Sequence, residues 1–411
     1  MKRNKGSKAL RQQSATIRDS DAAAPAPKRL AVTRLTVTGF RSYARVRLET
    51  GGRSVVLFGD NGVGKTNLLE AVSLLTPGRG LRSAKPGDLG RRPFGAETGG
   101  PWGVAASIEG RDGPADIGTG VETAPDGQAL KRLVKINGER RRAQSDLADH
   151  LSVLWLVPQM DRLFLEGPAA RRKFLDRMVY AFDPAHAGRV TAYETAMRER
   201  ARLLTAGCAD RAWLAALEDT MAGRGVAVAA ARLELVRALD AYAAEPVGPF
   251  PFARLWIDGA VERDLGEGTA LDAEDRLKEA LLRSRERDAE TGGASFGPHR
   301  ADLRVRHGPK GQGAALCSTG EQKALLIALV LANARLLAAE RNCRPVLLLD
   351  EIAAHLDENR RGALFDLLMD LDAQAWFTGT EAGPFEALSG FATHFRVESG
   401  AATLLPETVE S

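Results

Sequence analysis

Gly59-Asp60-Asn61-Gly62-Val63-Gly64-Lys65-Thr66 satisfies the pattern G-x-x-x-x-G-K-[ST] at every fixed position. The apolar run Ser54-Val55-Val56-Leu57-Phe58 precedes it and reads as a buried strand, and Asn67-Leu68-Leu69-Glu70-Ala71-Val72 follows as a helix start. Strand, glycine loop and helix in that order make a P-loop. In such a loop the glycines let backbone N–H groups converge on phosphate oxygens, and the helix N-terminus adds a favourable dipole. Lys65 is placed to reach the β- and γ-phosphates, and the Thr66 hydroxyl to ligate Mg²⁺. The alternative, a chance glycine turn carrying a lysine, does not account for the flanking strand and helix. The stretch predicts a nucleoside triphosphate site.

Outward from it, Leu30–Thr38 is β-rich and leads through Gly39-Phe40-Arg41-Ser42-Tyr43 into a second strand, Ala44–Leu48. Arg41 lies near enough in sequence to bend toward a bound nucleotide, or to be a solvated turn residue. Residues 104–110, 116–122 and 130–136 read as short strands, and Asn137-Gly138 is a hairpin turn signal. Two basic clusters flank them: Arg79, Arg82, Lys85, Arg91 and Arg92, then Lys131, Arg132, Lys135, Arg140, Arg141 and Arg142. Such clusters are solvated surface in most proteins. Two of them on one lobe also suit a phosphate-tracking face. Residues 151–157 read as a core strand ended by Pro158. Gln159 just beyond is either an ordinary loop residue or a glutamine that senses Mg²⁺ and the γ-phosphate.

The texture then changes. Helical patterns occupy 168–182, 185–206, 210–243 and 272–288, interrupted by an apolar stretch at 250–257. Their apolar stripes are helix packing. β texture returns at Asp302–His307, which alternates as a half-exposed strand.

The second chemical segment is Val346-Leu347-Leu348-Leu349-Asp350-Glu351, an apolar run of the kind buried parallel strands show, ended by two acids. Asp350 is placed to hold Mg²⁺ through water, and Glu351 to take a proton from an attacking water. Ser318-Thr319-Gly320-Glu321 opens a long helix as an S-x-x-E capping box. Its exposed N–H groups also suit an anion. In ATPases of the ATP-binding-cassette (ABC) type such an element completes the site of the opposite subunit. Ala354-His355-Leu356-Asp357 resembles the short loop that accompanies it there. Trp376–Thr380 reads as the final strand of the sheet, with Thr378 or Thr380 at the position where transporters carry a histidine.

These segments together resemble the RecF family of bacterial recombination-repair and replication-restart ATPases, relatives of SMC heads. The resemblance rests on Gly39–Tyr43, the P-loop, and Glu166-Gly167-Pro168 with Arg171-Arg172-Lys173-Phe174-Leu175-Asp176. It continues in Gly297-Pro298-His299-Arg300-Ala301-Asp302, Ser318–Lys323 and Leu347–Asp357, and covers roughly residues 30–400. The Gly-Pro-His-Arg segment is more particular to that family than the widely shared ATPase motifs; the Ala354-His355 pair departs from it. The resemblance implies an α/β fold: an ABC-type ATPase head with a P-loop sheet and an antiparallel β subregion, plus an inserted α-helical lobe. Lobe I would comprise 30–160 and 290–411, and lobe II 161–289. It further implies ATP and Mg²⁺ as cofactors, an ATP-dependent homodimer, and binding of double-stranded and gapped DNA. Slow, DNA-stimulated hydrolysis and cooperation with RecR and RecO in loading recombinase onto gaps complete the picture.

Composition bounds the rest. With 411 residues, 44% hydrophobic and 27% charged, the chain has material for two cores. Three scattered cysteines and six dispersed histidines suggest neither disulfides nor a zinc site. No uninterrupted apolar run approaches the ~20 residues that cross a bilayer, and no secretory h-region opens the chain, so a cytoplasmic setting is expected. Residues 1–29 hold eight Lys/Arg against Asp19 and Asp21, a charge of +6 that leaves −2 for the remainder of a chain totalling +4. That tail reads as disordered, and the body is not globally basic. A long-armed SMC head would need hundreds of residues of heptads between Lys65 and Asp350, and they are absent. A transporter ATPase would have no counterpart of the Gly-Pro-His-Arg segment.

Overall fold

The computed structural model describes residues 26–92, 99–122, 132–207 and 210–405; the tail up to residue 25, Lys131, and the side chains of Ala354 and His355 lie outside it. Its central sheet has the strand order 401–404, 392–398, 54–58, 375–379, 346–349, 153–156, all parallel except the first. Alternation along these strands sends their side chains into two different cores. Val55, Leu57, Leu348 and Trp376 join one cluster, while Val56, Leu347, Leu349 and Phe377 join the other. A sheet covered on both faces explains the unbroken apolar runs. Strand Ala375–Gly379 is not the last of the sheet, as its sequence suggested. It lies between the P-loop strand and the Asp-Glu strand, and Ala392–Glu398 continues the sheet on the other side of Ser54–Phe58.

The first core is closed by a second, antiparallel sheet of six strands: Tyr43–Glu49, Ala31–Phe40, Trp102–Gly110, Gly113–Val121, Leu133–Ile136 and Glu139–Arg141. Asn137-Gly138 makes the final hairpin with both residues at positive φ, as the turn chemistry requires. The second core is filled by helix Thr319–Arg341, whose residues from Ala324 to Leu337 are largely buried within it. Among the described residues this is the one helix long and apolar enough to cross a membrane, and 78% of its apolar window is buried inside the protein.

Helices Pro168–Phe182, His186–Thr205 and Arg211–Ala243 occupy the ranges their periodicity predicts, and the last is started by Asp210 accepting from the N–H groups of Ala212 and Trp213. The fourth pattern divides into Ala270–Arg283 and Arg285–Thr291, with Ala260–Glu267 ahead of it. The apolar stretch between them is a strand, Ala253–Asp258, and it pairs antiparallel with Asp302–His307. A third core of Tyr193, Met221, Leu277 and Leu281 lies within the helices.

Candidate nucleotide site and the junction beneath it

The P-loop strand ends at Phe58 and helix Lys65–Ser73 begins seven residues on, so residues 59–64 must turn the chain tightly. Gly59 and Gly64 make this possible. Gly59 has φ 148°, and a Cβ there would lie 2.2 Å from the Val397 carbonyl; Gly64 has φ 114° and would press a Cβ on Ser42 and Tyr43. Asp60, Asn61 and Gly62 form the exposed crest, with Val63 half-buried below them. Lys65 curls over the loop and donates to the carbonyls of Gly59 (2.6 Å) and Asp60 (2.8 Å). Burial lowers its pKa against the pull of Glu351, Asp350 and Asp60. A buried ammonium held by two carbonyls is well suited to phosphate oxygens.

Thr66 and Asp350 come together from opposite ends of the chain. The Thr66 hydroxyl lies 3.0 and 3.1 Å from the two carboxylate oxygens of Asp350. Burial, with Glu351 adding to it, raises the Asp350 pKa although Thr378 and Thr66 donate to it. A carboxylate in that state gains from a cation. No cluster of three or more acidic, His or Cys side chains suited to a metal occurs among the described residues. The Thr66 hydroxyl and the Asp350 carboxylate would hold Mg²⁺ with water and phosphate oxygens completing its shell. Glu351 sits at φ 53°, an uncommon conformation for a residue with a side chain, and its N–H donates to the Thr378 hydroxyl (2.8 Å). That same hydroxyl donates to Asp350 (2.7 Å) and is fully buried. Thr378 thus pins both acids from the neighbouring strand. Of the two threonines considered for that strand, it is the one engaged with them.

The remaining predicted residues divide. Arg41 does bend toward the P-loop helix, but its guanidinium makes a two-point pair with Glu70 at 2.8 Å on each arm, and Arg82 binds the same carboxylate. Glu70 is fully buried, so these arginines balance its charge. Ser42 and Tyr43 buttress the loop: Tyr43 donates to the Gly64 carbonyl (3.1 Å) and Asn67 donates to Ser42. Arg132 is turned inward, its guanidinium bound to Thr119, Gln144 and the carbonyls of Leu74, Thr76 and Gly78, and burial brings its pKa down to about 10. It therefore leaves the outward basic cluster to Lys135, Arg140, Arg141 and Arg142, all exposed. Gln159 is exposed in the turn after strand Val153–Leu156, whose Leu156 pairs with Leu349, so it shares the carboxyl edge of the sheet with Asp350.

Ser318 caps helix Thr319–Arg341 through a capping box in which the Ser318 N–H donates to Glu321 (3.0 Å). Lys310 also binds Glu321, and chiefly for that reason its pKa falls to about 2. Ser318, Thr319 and Gly320 are exposed, and Leu316 just before them is 78% exposed. No hydrogen bond or ion pair joins them to the P-loop among the described residues. Asp357 caps helix Glu358–Asp370, accepting from the Arg360 N–H (2.9 Å).

Sequence reasoning missed a buried junction. Arg171 binds Asp302 (2.6 and 3.0 Å), Arg172 donates to the Ala301 carbonyl (2.7 Å), and Arg232 grips Asp176 at 2.7 Å on both arms while donating to the Pro298 carbonyl. His186 makes a third bond to Asp176 (2.8 Å). His299 accepts from Tyr193 (2.6 Å) through Nδ1 and donates from Nε2 to the Ala294 carbonyl (2.9 Å). Two segments that carry the resemblance, Arg171–Asp176 and Gly297–Asp302, about 130 residues apart, are one network. The signal was the density of arginines inside otherwise apolar helical patterns.

A P-loop helix, an Asp-Glu strand beside it in a two-faced parallel sheet, and an exposed signature-like helix N-terminus define an ATPase head of the ABC type. The RecF/RecN/SMC N-terminal domain family matches residues 31–401. The DNA replication and repair protein RecF of Mesorhizobium japonicum is 49% identical over 379 residues, 91% of this chain and 98% of that one. RecF of Caulobacter vibrioides is 50% identical over 389 residues, 92% of this chain and 99% of that one. The chain therefore belongs to the RecF family. A solved structure of the recombination mediator protein RecF-ATP in the RecFOR pathway shares the fold, with TM-score 0.77 and 23% identity over 92% of this chain and 99% of that one. An SMC head domain from Pyrococcus furiosus is more distant, with TM-score 0.51 and 17% identity over 92% of this chain and 96% of that one.

Proposed function

We propose that this chain is an ATP-operated clamp on DNA that serves recombinational repair and replication restart. One observation carries the reading: a phosphate site formed by Gly59–Thr66 and Asp350 coexists with an exposed helix N-terminus, Ser318–Gly320, that bonds to no P-loop of its own chain. Two copies would solve both problems, each presenting Ser318–Gly320 to the γ-phosphate on the other, with Asp357 beside that contact. Exposed Leu316 would be covered in the same event.

In this scheme Lys65 exchanges its two carbonyl partners for phosphate oxygens, and Gly62, Val63 and Gly64 supply N–H donors. Thr66 and Asp350, with Gln159 at the same sheet edge, would hold Mg²⁺, which supplies charge neutralisation of the phosphates when bound. Glu351 accepts the proton of the attacking water, its backbone held by Thr378. Hydrolysis then separates the copies. ATP acts as removable glue, and turnover is slow and raised by DNA.

The groove between ATPase lobes (30–160 with 290–411) would take duplex or gapped DNA, and the helical lobe (161–289) would frame it. Similarity to DNA replication and repair proteins supports DNA as the partner, and membership of the same family supports cooperation with RecR and RecO in loading recombinase, in the cytoplasm. Sedimentation of Glu351→Gln tests the scheme. Mg-ATP should convert monomer to dimer, and duplex or gapped DNA should strengthen it. Ser318→Arg should keep ATP binding and lose the dimer. A nucleotide-bound monomer under all conditions overturns the clamp.

A further inference from the structure

A cavity of about 30 Å³ lies where the helical lobe meets the central sheet. Arg177, Tyr180 and Ala181 line it from helix Pro168–Phe182, and Trp155 lines it from strand Val153–Leu156, with Ser152 just ahead of that strand. Pro77 lines it too, and on its other side borders a wide trough of about 880 Å³ between residues 77–79 and helix His186–Thr205. No acidic side chain lines the small cavity. It is a place of donors without acceptors.

The inward arginines described above are each answered by oxygen: Arg132 and Arg172 by carbonyls, Arg171 and Arg232 by carboxylates. Arg177 is not. Its Nε is enclosed without a hydrogen-bond partner, and its Nη2 meets only the Met160 sulfur, a weak acceptor, at 3.6 Å. No carboxylate lies within ion-pair distance of it among the described residues. Burial brings its pKa from 12.5 down to about 9, so it stays charged at neutral pH. The rings of Trp155 (4.3 Å to the centroid) and Phe174 (5.3 Å) attract the charge but offer its N–H groups no oxygen. Two hydroxyls share the cavity. Tyr180 makes no side-chain hydrogen bond among the described residues, and burial raises its pKa, so its O–H remains a donor. Ser152 accepts from Arg111 (3.4 Å), which leaves its own hydrogen uncommitted. A water needs roughly 10–15 Å³, so the cavity admits about two oxygens and excludes the four of a phosphate. Donors on both the helix side and the sheet side suit two oxygens better than one spherical ion.

We propose that this cavity binds a small free carboxylate, an anion of acetate size held by the Arg177 guanidinium with the Tyr180 and Ser152 hydroxyls. The trough beyond Pro77 is its way in. Occupancy braces helix Pro168–Phe182 against strand Val153–Leu156, close to the turn that carries Gln159. The site is separate from the nucleotide site and needs neither ATP nor DNA.

Chemical denaturation of the full chain tests it, with sodium acetate or sodium chloride titrated in while sodium sulfate, whose ion is too large for the cavity, holds the ionic strength. Once acetate exceeds its Kd, each tenfold rise should raise the folding constant of the unaltered chain about tenfold. Arg177→Met should abolish that dependence. Without acetate it should be at least as stable as the unaltered chain, because an apolar side chain of similar length replaces an unanswered cation. Ala181→Leu fills the cavity, leaves Arg177 in place and should also lose the dependence; Tyr180→Phe should weaken it several-fold. An acetate dependence that is the same in Arg177→Met and Ala181→Leu as in the unaltered chain is a general salt effect and overturns the site. So does its absence from the unaltered chain. Chloride acting as strongly as acetate, and through Arg177, overturns the carboxylate in favour of a halide. A blocked glutamate peptide that stabilises the chain where acetate does not overturns the free anion in favour of a protein contact.

Discussion

The nucleotide site and the buried junction are both polar, and both are made of motifs that the family resemblance rests on, yet they are built on opposite plans. The nucleotide site is half-open. Among the described residues Lys65 donates only to carbonyls, and burial works against the charge of both Lys65 and Asp350. Its groups are left wanting a partner. At the junction Asp176 accepts three bonds from Arg232 and His186, and these outweigh the burial that works to raise its pKa, holding it below the usual carboxylate range. Polar groups that are satisfied internally hold a structure together; groups left short of partners in an accessible cleft await a ligand. By that contrast the Arg171–Asp176 and Gly297–Asp302 segments are structural couplings between the helices and the strand pair, although they are as recognisable in sequence as the P-loop.

The sharpest way to break this contrast is Asp176→Asn. It strands Arg232, which is buried, opposite a neutral amide, and removal of one partner from a buried pair costs about 3–5 kcal/mol. Chemical denaturation should show that loss, while ATP affinity of the folded fraction stays within a few-fold. A variant that keeps its stability and loses ATP instead would make the junction part of the site. Acid should attack the same region next. Burial, with Arg300 and Arg172 adding to it against Asp288, brings the His299 pKa from its ordinary value of 6.5 down to about 4. The unfolded chain therefore binds the proton first, and stability falls as pH drops from 6.5 to 4. At 1.36 kcal/mol per unit the loss reaches on the order of 3 kcal/mol. His299→Gln should flatten the denaturation midpoint over that window; an unaltered slope rejects the assignment. Buried Glu262, whose pKa burial raises, contributes with the opposite sign, its share of stability lost as pH rises above the ordinary carboxylate range.

Lys65→Ala sharpens the other half. Two charge-assisted bonds to phosphate, each worth about 1.5–3 kcal/mol, make a loss of nucleotide affinity of at least ~100-fold the expected outcome in titration with a fluorescent ATP analogue. Thermal stability should hold or rise, because the substitution removes a buried ammonium. A variant that unfolds would place Lys65 with the junction residues.

Local rules explain which of these parts were legible. The P-loop, the Asp-Glu strand and the capping box at Ser318 are each written in fewer than ten consecutive residues, and their conformations follow from glycine, apolar runs and caps. The helices at 168–182 and 211–243 were equally plain from periodicity. What escaped was pairing at long range. Nothing local marks Asp302–His307 as the partner of Ala253–Asp258, or Ala375–Gly379 as an interior strand, since strand order is set by crossovers rather than composition. The partners of Arg41, read as a residue that could bend toward a nucleotide, and of Arg132, read as part of a basic cluster near the Asn137-Gly138 turn, escaped for a related reason. The acid at Glu70 that pairs with Arg41, and the carbonyls at Leu74 and Thr76 that hold Arg132, are visible only in three dimensions.

Thr378 lies where the two plans meet, and its substitution tests the boundary at the smallest scale. Its hydroxyl is satisfied like a junction residue, donating to Asp350 and accepting from the Glu351 N–H, yet it serves groups that face the nucleotide. Thr378→Val keeps the shape and removes both bonds. The Glu351 N–H is left without its partner, a cost of about 1–2 kcal/mol in stability. Asp350 keeps only the Thr66 hydroxyl to fix its orientation, so the midpoint of a Mg²⁺ titration of ATP hydrolysis should move several-fold upward. ATP binding without Mg²⁺ should hardly change, because neither Lys65 nor the loop amides depend on Thr378. Thr378→Ser should recover both the stability and the midpoint. If valine lowers stability alone, Thr378 belongs to the scaffold; if it moves the Mg²⁺ midpoint and serine restores it, the hydroxyl positions the acids and the site reaches one strand deeper than its motifs.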